Sequence, residues 1–316
     1  VDFAMRDRAW GCAVGAAVGD ALGMPLEFGP RQPAGQLVRE MRAGRLPAGT
    51  FTDDTEMALA LADSLLASRG IHRGSRRLDP DDLAGRFVAW LRAGPDDIGG
   101  HTRAVLSWVR QAQRDQSWRE AAMAVQAAHP TSAGNGSVMR CWPVALAHWQ
   151  DLDLLIADSC LQSEVTHMHP ECVAASAFVN AAMYWLLRGI SPPDAVARAL
   201  ERVEMPAEMR EIIVAAARRE RHELANSGWV RHTVESAVWG LLCMPSLEEA
   251  VSQVANLGGD ADTAASVVGA LAGAAYGLEA VPRHWRDAVQ GEWPLQSRTR
   301  WDSARLTALA DALVED

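Results

Sequence analysis

The chain has 316 residues, 49% of them apolar, and a formal net charge of −10. That is long enough to bury a sizeable core, and too acidic, with its acids spread out, to neutralise a nucleic-acid backbone. All 30 basic residues other than histidine are arginine, and without lysine there is no Schiff-base chemistry, no Walker A phosphate loop and no protein-kinase site. Cys12, Cys141, Cys160, Cys172 and Cys243 form no CxxC pair, so they read as small core hydrophobes rather than a disulfide framework or a zinc site. No window holds the roughly 18 uncharged apolar residues of a membrane helix, and the N-terminal residues lack a signal-peptide plan. With no linker in view, the expectation is one all-α domain over residues 1–316, a cytoplasmic monomer.

Gly11, Gly15, Gly19 and Gly23 recur every four residues in the first segment, and Gly269, Gly273 and Gly277 repeat the spacing near the end. Each glycine inside a helix costs about 1 kcal/mol against alanine, so both stripes predict helix backbones in close approach. Asp20 interrupts the first stripe. The first helix is expected to end at Met24–Phe28, followed by a loop over 29–50 rich in Gly and Pro. A helix opens at Thr52-Asp53-Asp54, with Met57, Leu61 and Leu65 on its apolar face and Asp53 and Glu56 spaced as a capping pair. His72–Arg77 reads as a solvated basic loop.

Helices are then expected over Pro80–Leu91, Ala104–Gln113 and Trp118–Ala128, separated by a turn over 94–103. His129–Arg140 reads as a turn offering several backbone N–H groups. Further helices follow over Val138–Trp149, Leu152–Gln162, Glu171–Leu187, Pro193–Val203, Ala207–Arg219, Val234–Leu242 and Leu247–Ala255. Gly258 and Gly259 make a tight turn into a helix beginning near Asp260, and Trp301–Val314 is the last. No period-two strand is evident. Trp285, Trp293 and Trp301 read as anchors of the C-terminal segment.

Two helix starts are acidic. Asp53 and Asp54 with Thr52 open one, and Asp260 and Asp262 with Thr263 open the other. A plain double N-cap would explain either alone. If packing brings the two together, four carboxylates in one pocket need cations, and their all-oxygen chemistry suits magnesium, manganese or calcium. Asp97 and Glu27 are loop carboxylates that could act as general acid or base, though a solvated surface acid is the commoner role. His167 and His169 precede a helix, where capping and core packing are the usual uses.

These motifs in order, Gly15–Gly23 with Pro25-Leu26-Glu27, Thr52–Thr55, Gly94–Gly99, Gly134–Arg140, Thr166–Pro170 and Gly258–Thr263, resemble the ADP-ribosylglycohydrolase family from about Trp10 to His284. The resemblance implies an orthogonal multi-helix domain and a centre of two divalent ions, Mg²⁺ or Mn²⁺, held by Thr52, Asp53, Asp54, Asp260, Asp262 and Thr263. It implies ADP-ribose contacts at Gly99, Gly100, His101, Thr102, Asn135, Gly136, Ser137, Met139 and His167. The implied activity is release of ADP-ribose from a modified protein, with arginine as the expected linkage and Asp97, then Glu27, as proton-transfer groups. Another ADP-ribose linkage, or a silent ADP-ribose-binding relative, is the competing expectation. Ser137 and Ala261 depart from the usual family residues, and neither change removes a carboxylate.

Overall fold

The computed structural model describes residues 1–71, 77–113 and 117–315. The basic loop expected over His72–Arg77 lies, Arg77 apart, outside the described residues. In chain order the helices are α1 (Phe3–Gly23), α2 (Asp53–Ile71), α3 (Pro80–Ala93), α4 (Gly100–Ala112), α5 (Trp118–Ala128), α6 (Trp142–Ala147), α7 (Leu152–Glu164) and α8 (Pro170–Leu187). They continue with α9 (Pro192–Arg202), α10 (Ala207–Ala216), α11 (Val230–Cys243), α12 (Leu247–Ala255), α13 (Ala261–Tyr276), α14 (Arg283–Ala288) and α15 (Ser303–Val314). A short antiparallel ribbon, β1 (Gln290–Glu292) and β2 (Arg300–Asp302), precedes α15. The fold is all-α, as the periodicity predicts.

Local chemistry sets many of these boundaries. Asp79 accepts from the N–H groups of Asp81 and Asp82 at 3.0 and 3.2 Å, and Pro80 takes the first helical position, where its missing N–H costs nothing. Asp151, Ser191, Ser246 and Asp302 cap α7, α9, α12 and α15 in the same way. His169 caps α8, its Nδ1 accepting from the Glu171 N–H at 3.2 Å.

The centre of the molecule is the pair α1 and α13, which run antiparallel at backbone contact. A Cβ on Gly11 would lie 2.5 Å from the Gly273 carbonyl oxygen, and one on Gly15, Gly19 or Gly23 would overlap backbone atoms of Gly269, Ala265 or Asp262 in turn. The clash is reciprocal, because a Cβ on Gly269 or Gly273 would strike the carbonyl of Gly15 or Gly11. The glycine stripes therefore form one zipper. By length and mean hydropathy the stretch from Phe3 to Leu26 would also suit a membrane, but 83% of its most apolar window is buried inside the protein. The other helices pack around this pair, and one contiguous apolar cluster runs from Met5 to Val314.

Several boundaries differ from expectation. Helix α4 begins at Gly100, within the expected turn, and α6 spans only Trp142–Ala147, because residues 135–141 form turns fixed by side-chain and backbone bonds. Trp301 lies in β2, and its indole donates to the Trp293 carbonyl at 2.9 Å. The ribbon escapes sequence detection because its strands are three residues each. It matters nonetheless, since Phe51 N donates to the Gln290 carbonyl at 2.9 Å and Gln290 N to the Gly49 carbonyl at 2.8 Å. Together with the Trp293 indole on Asp63 at 2.9 Å, these bonds fix the chain entering α2.

Gly269→Ala adds one methyl against the Gly15 carbonyl. Overpacking of this kind is expected to lower stability by about 1–3 kcal/mol in denaturant or thermal unfolding. A variant as stable as the parent would mean that the two backbones can separate freely.

Candidate active site

The zipper delivers a carboxylate to the start of α2. Asp20, fully buried on α1, accepts from Thr52 N (3.0 and 2.9 Å to its two oxygens), Thr52 Oγ1 (2.8 Å), Thr55 N (3.1 Å) and Thr55 Oγ1 (2.6 Å). It thus satisfies the free N–H groups of that helix start from another element. Asp53 and Asp54 are released from capping. Glu56 is not a capping partner of Asp53 either, because its Oε2 accepts the Trp90 indole N–H at 2.7 Å, and burial pushes its carboxyl up to about 7.

The α13 start is built differently. Gly258 and Gly259 both have positive φ, 71° and 62°, a pair of conformations that side-chain-bearing residues rarely adopt. The turn they form is bonded on one side to the loop after α1, Phe28 N to Gly259 O at 2.7 Å and Gly259 N to Gly29 O at 3.1 Å. On its other side Asp260 N donates to Asn226 O at 2.9 Å. Asp260 makes no side-chain cap bond, and its Oδ2 instead accepts from Asn135 Nδ2 at 2.8 Å. The double-cap explanation therefore fails for both helix starts.

The two starts meet. Single oxygens of Asp20, Asp54 and Asp262 lie within 4.8 Å of one another, and the Thr263 hydroxyl lies 3.4 Å from Asp54 Oδ2. Burial, followed by mutual repulsion, raises the carboxyls of Asp53, Asp54 and Asp262 well above the carboxylate range, and burial also raises Asp20. Asp54 Oδ1 is buried and has no hydrogen-bond partner among the described residues. The Thr52 hydroxyl spends its proton on Asp20, and the Thr263 hydroxyl points its proton toward Asp54, which leaves lone pairs on both oxygens. An orphaned carboxylate oxygen among oxygen-only donors fits a hard divalent cation.

Glu27 and Asp97 come from separate loops to the edge of this cluster, and single oxygens of Glu27, Asp97 and Asp262 again lie within 4.8 Å. Sequence reasoning missed the group between them. Arg45, from the Gly- and Pro-rich loop, donates from one terminal nitrogen to Glu27 Oε2 and from the other to Asp97 Oδ2 at 2.6 Å, with Asp262 Oδ2 3.6 Å away. Against the cost of burial, Glu27, Asp97 and Asp262 hold Arg45 in its charged form. Burial, opposed by Arg45, leaves the Glu27 carboxyl raised. No spacing rule marks Arg45, whereas Asp20 could have been found as a lone charge inside an otherwise apolar, glycine-striped helix.

A cleft of about 410 Å³ opens beside the cluster. Glu27, Asp53, Asp54, Asp97, Asp260, Asp262 and Thr263 line one part, and Gly99, Gly100, His101, Thr102, Asn135, Gly136, Met139 and His167 line another. Phe28, Ile98, Gly134 and Gly228, not among the contact residues expected from the sequence, complete the wall. Phe28 stands 82% exposed at the mouth with φ 59°. Thr52 lies just beneath, buried against Asp20.

One expected contact residue needs correction, and one keeps its place with its ring nitrogens already bonded. Ser137 is fully buried, its hydroxyl accepting from Ser163 Oγ at 2.8 Å, so its side chain packs behind the cleft rather than in it. His101 lines the cleft, yet Nε2 bonds the Thr166 carbonyl at 3.0 Å and Nδ1 bonds Ser132 Oγ at 3.0 Å. With both nitrogens occupied it offers a ring face, stacked on His167 at 4.7 Å between centroids. At the α4 start Gly99 supplies no side-chain cap, so the first N–H groups of that helix remain available, an arrangement that suits an anion.

The sequence profile described as ADP-ribosylglycohydrolase matches residues 3–316. The chain is 33% identical over 289 residues to the ADP-ribosylarginine hydrolase Tri1 of Serratia proteamaculans (strain 568), covering 90% of this chain and 75% of that protein. It is 30% identical over 316 residues to the ADP-ribosyl-[dinitrogen reductase] glycohydrolase of Rhodospirillum rubrum, covering 97% of each. A solved structure, an ADP-ribosylglycohydrolase-related protein complex, matches with a TM-score of 0.76 and 31% identity over 98% of each chain.

The raised carboxyls carry a pH signature. In metal-free protein Asp53, Asp54 and Asp262 bind protons more tightly folded than unfolded, so their contribution to stability is full below about pH 4 and is lost as pH rises through their folded pKa. The melting temperature in chelator is expected to fall as pH rises above the ordinary carboxylate range of about 4. Mg²⁺ or Mn²⁺ at about 100 times its dissociation constant should return about 2.7 kcal/mol at the higher pH. A flat profile that ignores added metal would count against a cation site here.

Proposed function

The chain belongs to the ADP-ribosylglycohydrolase family, and from that premise we propose that it releases ADP-ribose from arginine side chains of modified proteins in a divalent-metal-dependent hydrolysis. The observation that carries the arginine linkage is the seat of Arg45. Glu27 and Asp97 hold its guanidinium by two separate nitrogens at the edge of the acidic cluster. The leaving group of an arginine linkage presents the same planar, cationic donors, whereas a serine hydroxyl presents neither charge nor fork. The relative in Serratia proteamaculans named as an ADP-ribosylarginine hydrolase supports the same linkage.

In this reading Thr52, Asp53, Asp54, Asp260, Asp262 and Thr263 hold two divalent ions, Mg²⁺ or Mn²⁺. When bound, those ions neutralise the buried carboxylates and supply Lewis-acid chemistry toward water and the ribose hydroxyls. Asn135 holds Asp260 in place through its Nδ2. The α4 start, Gly136, Met139 and His167 line the part of the cleft that receives the rest of ADP-ribose. Glu27 and Asp97 divide the proton transfers as paired carboxylates do in glycoside hydrolysis. The raised Glu27 carboxyl suits donation to the departing nitrogen, and Asp97 takes the proton of the attacking water. The protein partner is thus an ADP-ribosylated substrate, with ADP-ribose as product.

Release assays on arginine-, serine- and base-linked ADP-ribose, with Mg²⁺, Mn²⁺ or chelator, test the proposal. Arginine-linked substrate should be cleaved first and fastest, and only with metal. Preferred cleavage of another linkage would sink the arginine assignment, and full activity in chelator would sink the metal.

Asp97→Asn should keep metal and ADP-ribose affinity while losing about two to four orders of magnitude in turnover. If Asp97→Asn turns over near the parental rate while Glu27→Gln is inactive with substrate bound, Glu27 alone moves the protons.

A further inference from the structure

Arg140, in the turn before α6, is fully buried, and all its hydrogen-bond partners among the described residues are neutral. Nε donates to Gln162 Oε1 at 3.0 Å, one terminal nitrogen to the Gln162 carbonyl at 2.9 Å and to Thr166 Oγ1 at 2.8 Å, and the other faces Met57 sulfur at 3.9 Å. The guanidinium also lies 4.4 Å from the Phe87 ring centroid. Burial lowers its pKa to about 9, which leaves it cationic at neutral pH. A buried cation held only by neutral groups is costly, so its placement calls for a use.

The use lies one bond further on. A guanidinium can only donate, so the bond from Arg140 occupies a lone pair of the Thr166 hydroxyl. Thr166 Oγ1 lies 2.7 Å from His167 Nδ1, and the described residues offer its single proton no other acceptor. Nδ1 then accepts, and the proton of a neutral His167 sits on Nε2. Burial, then the neighbouring His101, then Arg140 all disfavour the imidazolium. His101 is fixed as well: a carbonyl only accepts, so its bond to Thr166 O places the His101 proton on Nε2 and leaves Nδ1 to accept from Ser132.

The Nε2 edge of His167 abuts Gly134 and Gly136, both in the cleft wall, where a Cβ would lie 3.6 and 3.2 Å from that nitrogen. No bond from Nε2 to protein is present among the described residues. The donor is left for a ligand.

We propose that Arg140 and Thr166 are positioning residues that lock His167 in its Nε2–H form, so that the cleft presents one fixed, uncharged donor to an oxygen of its ligand. This rests on the ADP-ribose reading above only for the identity of that oxygen, which belongs to ADP-ribose.

The test uses Mg²⁺-loaded, nitrogen-15-labelled protein without ligand. Two-bond proton–nitrogen correlation reads the imidazoles, and His167 is assigned by the signals lost in His167→Gln. The parent and Thr166→Ser, which keeps the hydroxyl, should show a protonated Nε2 and a bare Nδ1. Thr166→Val should show the other tautomer or a mixture, and its ADP-ribose affinity by calorimetry should fall about tenfold, the scale of one hydrogen bond to a charged group. Thr166→Ser should bind as the parent does. Arg140→Met should shift the imidazole in the same sense, and if it fails to fold the Thr166 pair decides alone. Protonated Nδ1 in the parent overturns the relay, as does Thr166→Val with unchanged signature, whether or not affinity falls. A parent that binds no ADP-ribose fails the functional reading, while the imidazole signature still decides the relay.

Discussion

The structure depends on the distance between α1 and α13. Helices usually pack with axes 8–10 Å apart because side chains hold them there. Removing Cβ at Gly11, Gly15, Gly19, Gly269 and Gly273 lets carbonyls meet backbone directly. The register of that zipper then fixes chemistry. Gly19 and Gly23 face Ala265 and Asp262, so Asp20, between them in sequence, reaches the same end of the helix pair as the α13 acids. From there it takes the N–H groups of Thr52 and Thr55 and fixes the α2 start. One steric fact thus places residues that are more than 200 positions apart in sequence.

The consequence is an arrangement that the bare protein tolerates poorly. Asp20, Asp53, Asp54 and Asp262 are all buried near one another; burial pushes every one of them toward its neutral form, and repulsion adds to it at Asp53, Asp54 and Asp262. Hydrogen bonding relieves part of this, since Asp20 has five donor contacts and Asp260 takes the Asn135 amide. Among the described residues nothing relieves Asp54 Oδ1. A fold that holds such a group in a fixed place stores strain that a bound cation would release, which is how functional sites commonly depart from best packing.

What could be read from the sequence follows from the range of each interaction. The helical period, the caps at Asp79 and His169, the paired-glycine turn at Gly258 and Gly259, and the acidic pairs at two helix starts are local, and spacing reveals them. The glycine stripes announced close packing without naming the partner helix. Whether the two acidic starts were neighbours was a tertiary question, and the competing cap explanation could be dismissed only when Asp20 was found capping α2 from α1. Arg45 stayed hidden because a loop arginine carries no periodicity, and its role comes from Glu27 and Asp97 arriving from elsewhere. Ser137 was misjudged for the converse reason. Its motif lines the cleft, but the direction of one side chain within a turn depends on Ser163 behind it.

The cleft wall is therefore divided electrostatically. At one end carboxylates crowd against Arg45, and at the other the groups are neutral: two imidazoles disfavoured as cations by burial, glycines, Met139 and an uncapped helix start. Arg140 sits behind the neutral end, its charge screened from the cleft by Thr166 and His167. A ligand carrying both a diphosphate and a cationic leaving group would find a complement at each end, the anion at the helix start and the cation at the carboxylates around Arg45. The spacing between the two ends is set jointly by α1, α2, α4 and α13, which carry the buried acids and the helix start, and by the loops that bring in Glu27, Arg45, Asp97 and the turn at Gly134–Met139. Under the proposed arginine linkage, the guanidinium seat at Arg45 would take part in recognition rather than being an incidental surface pair.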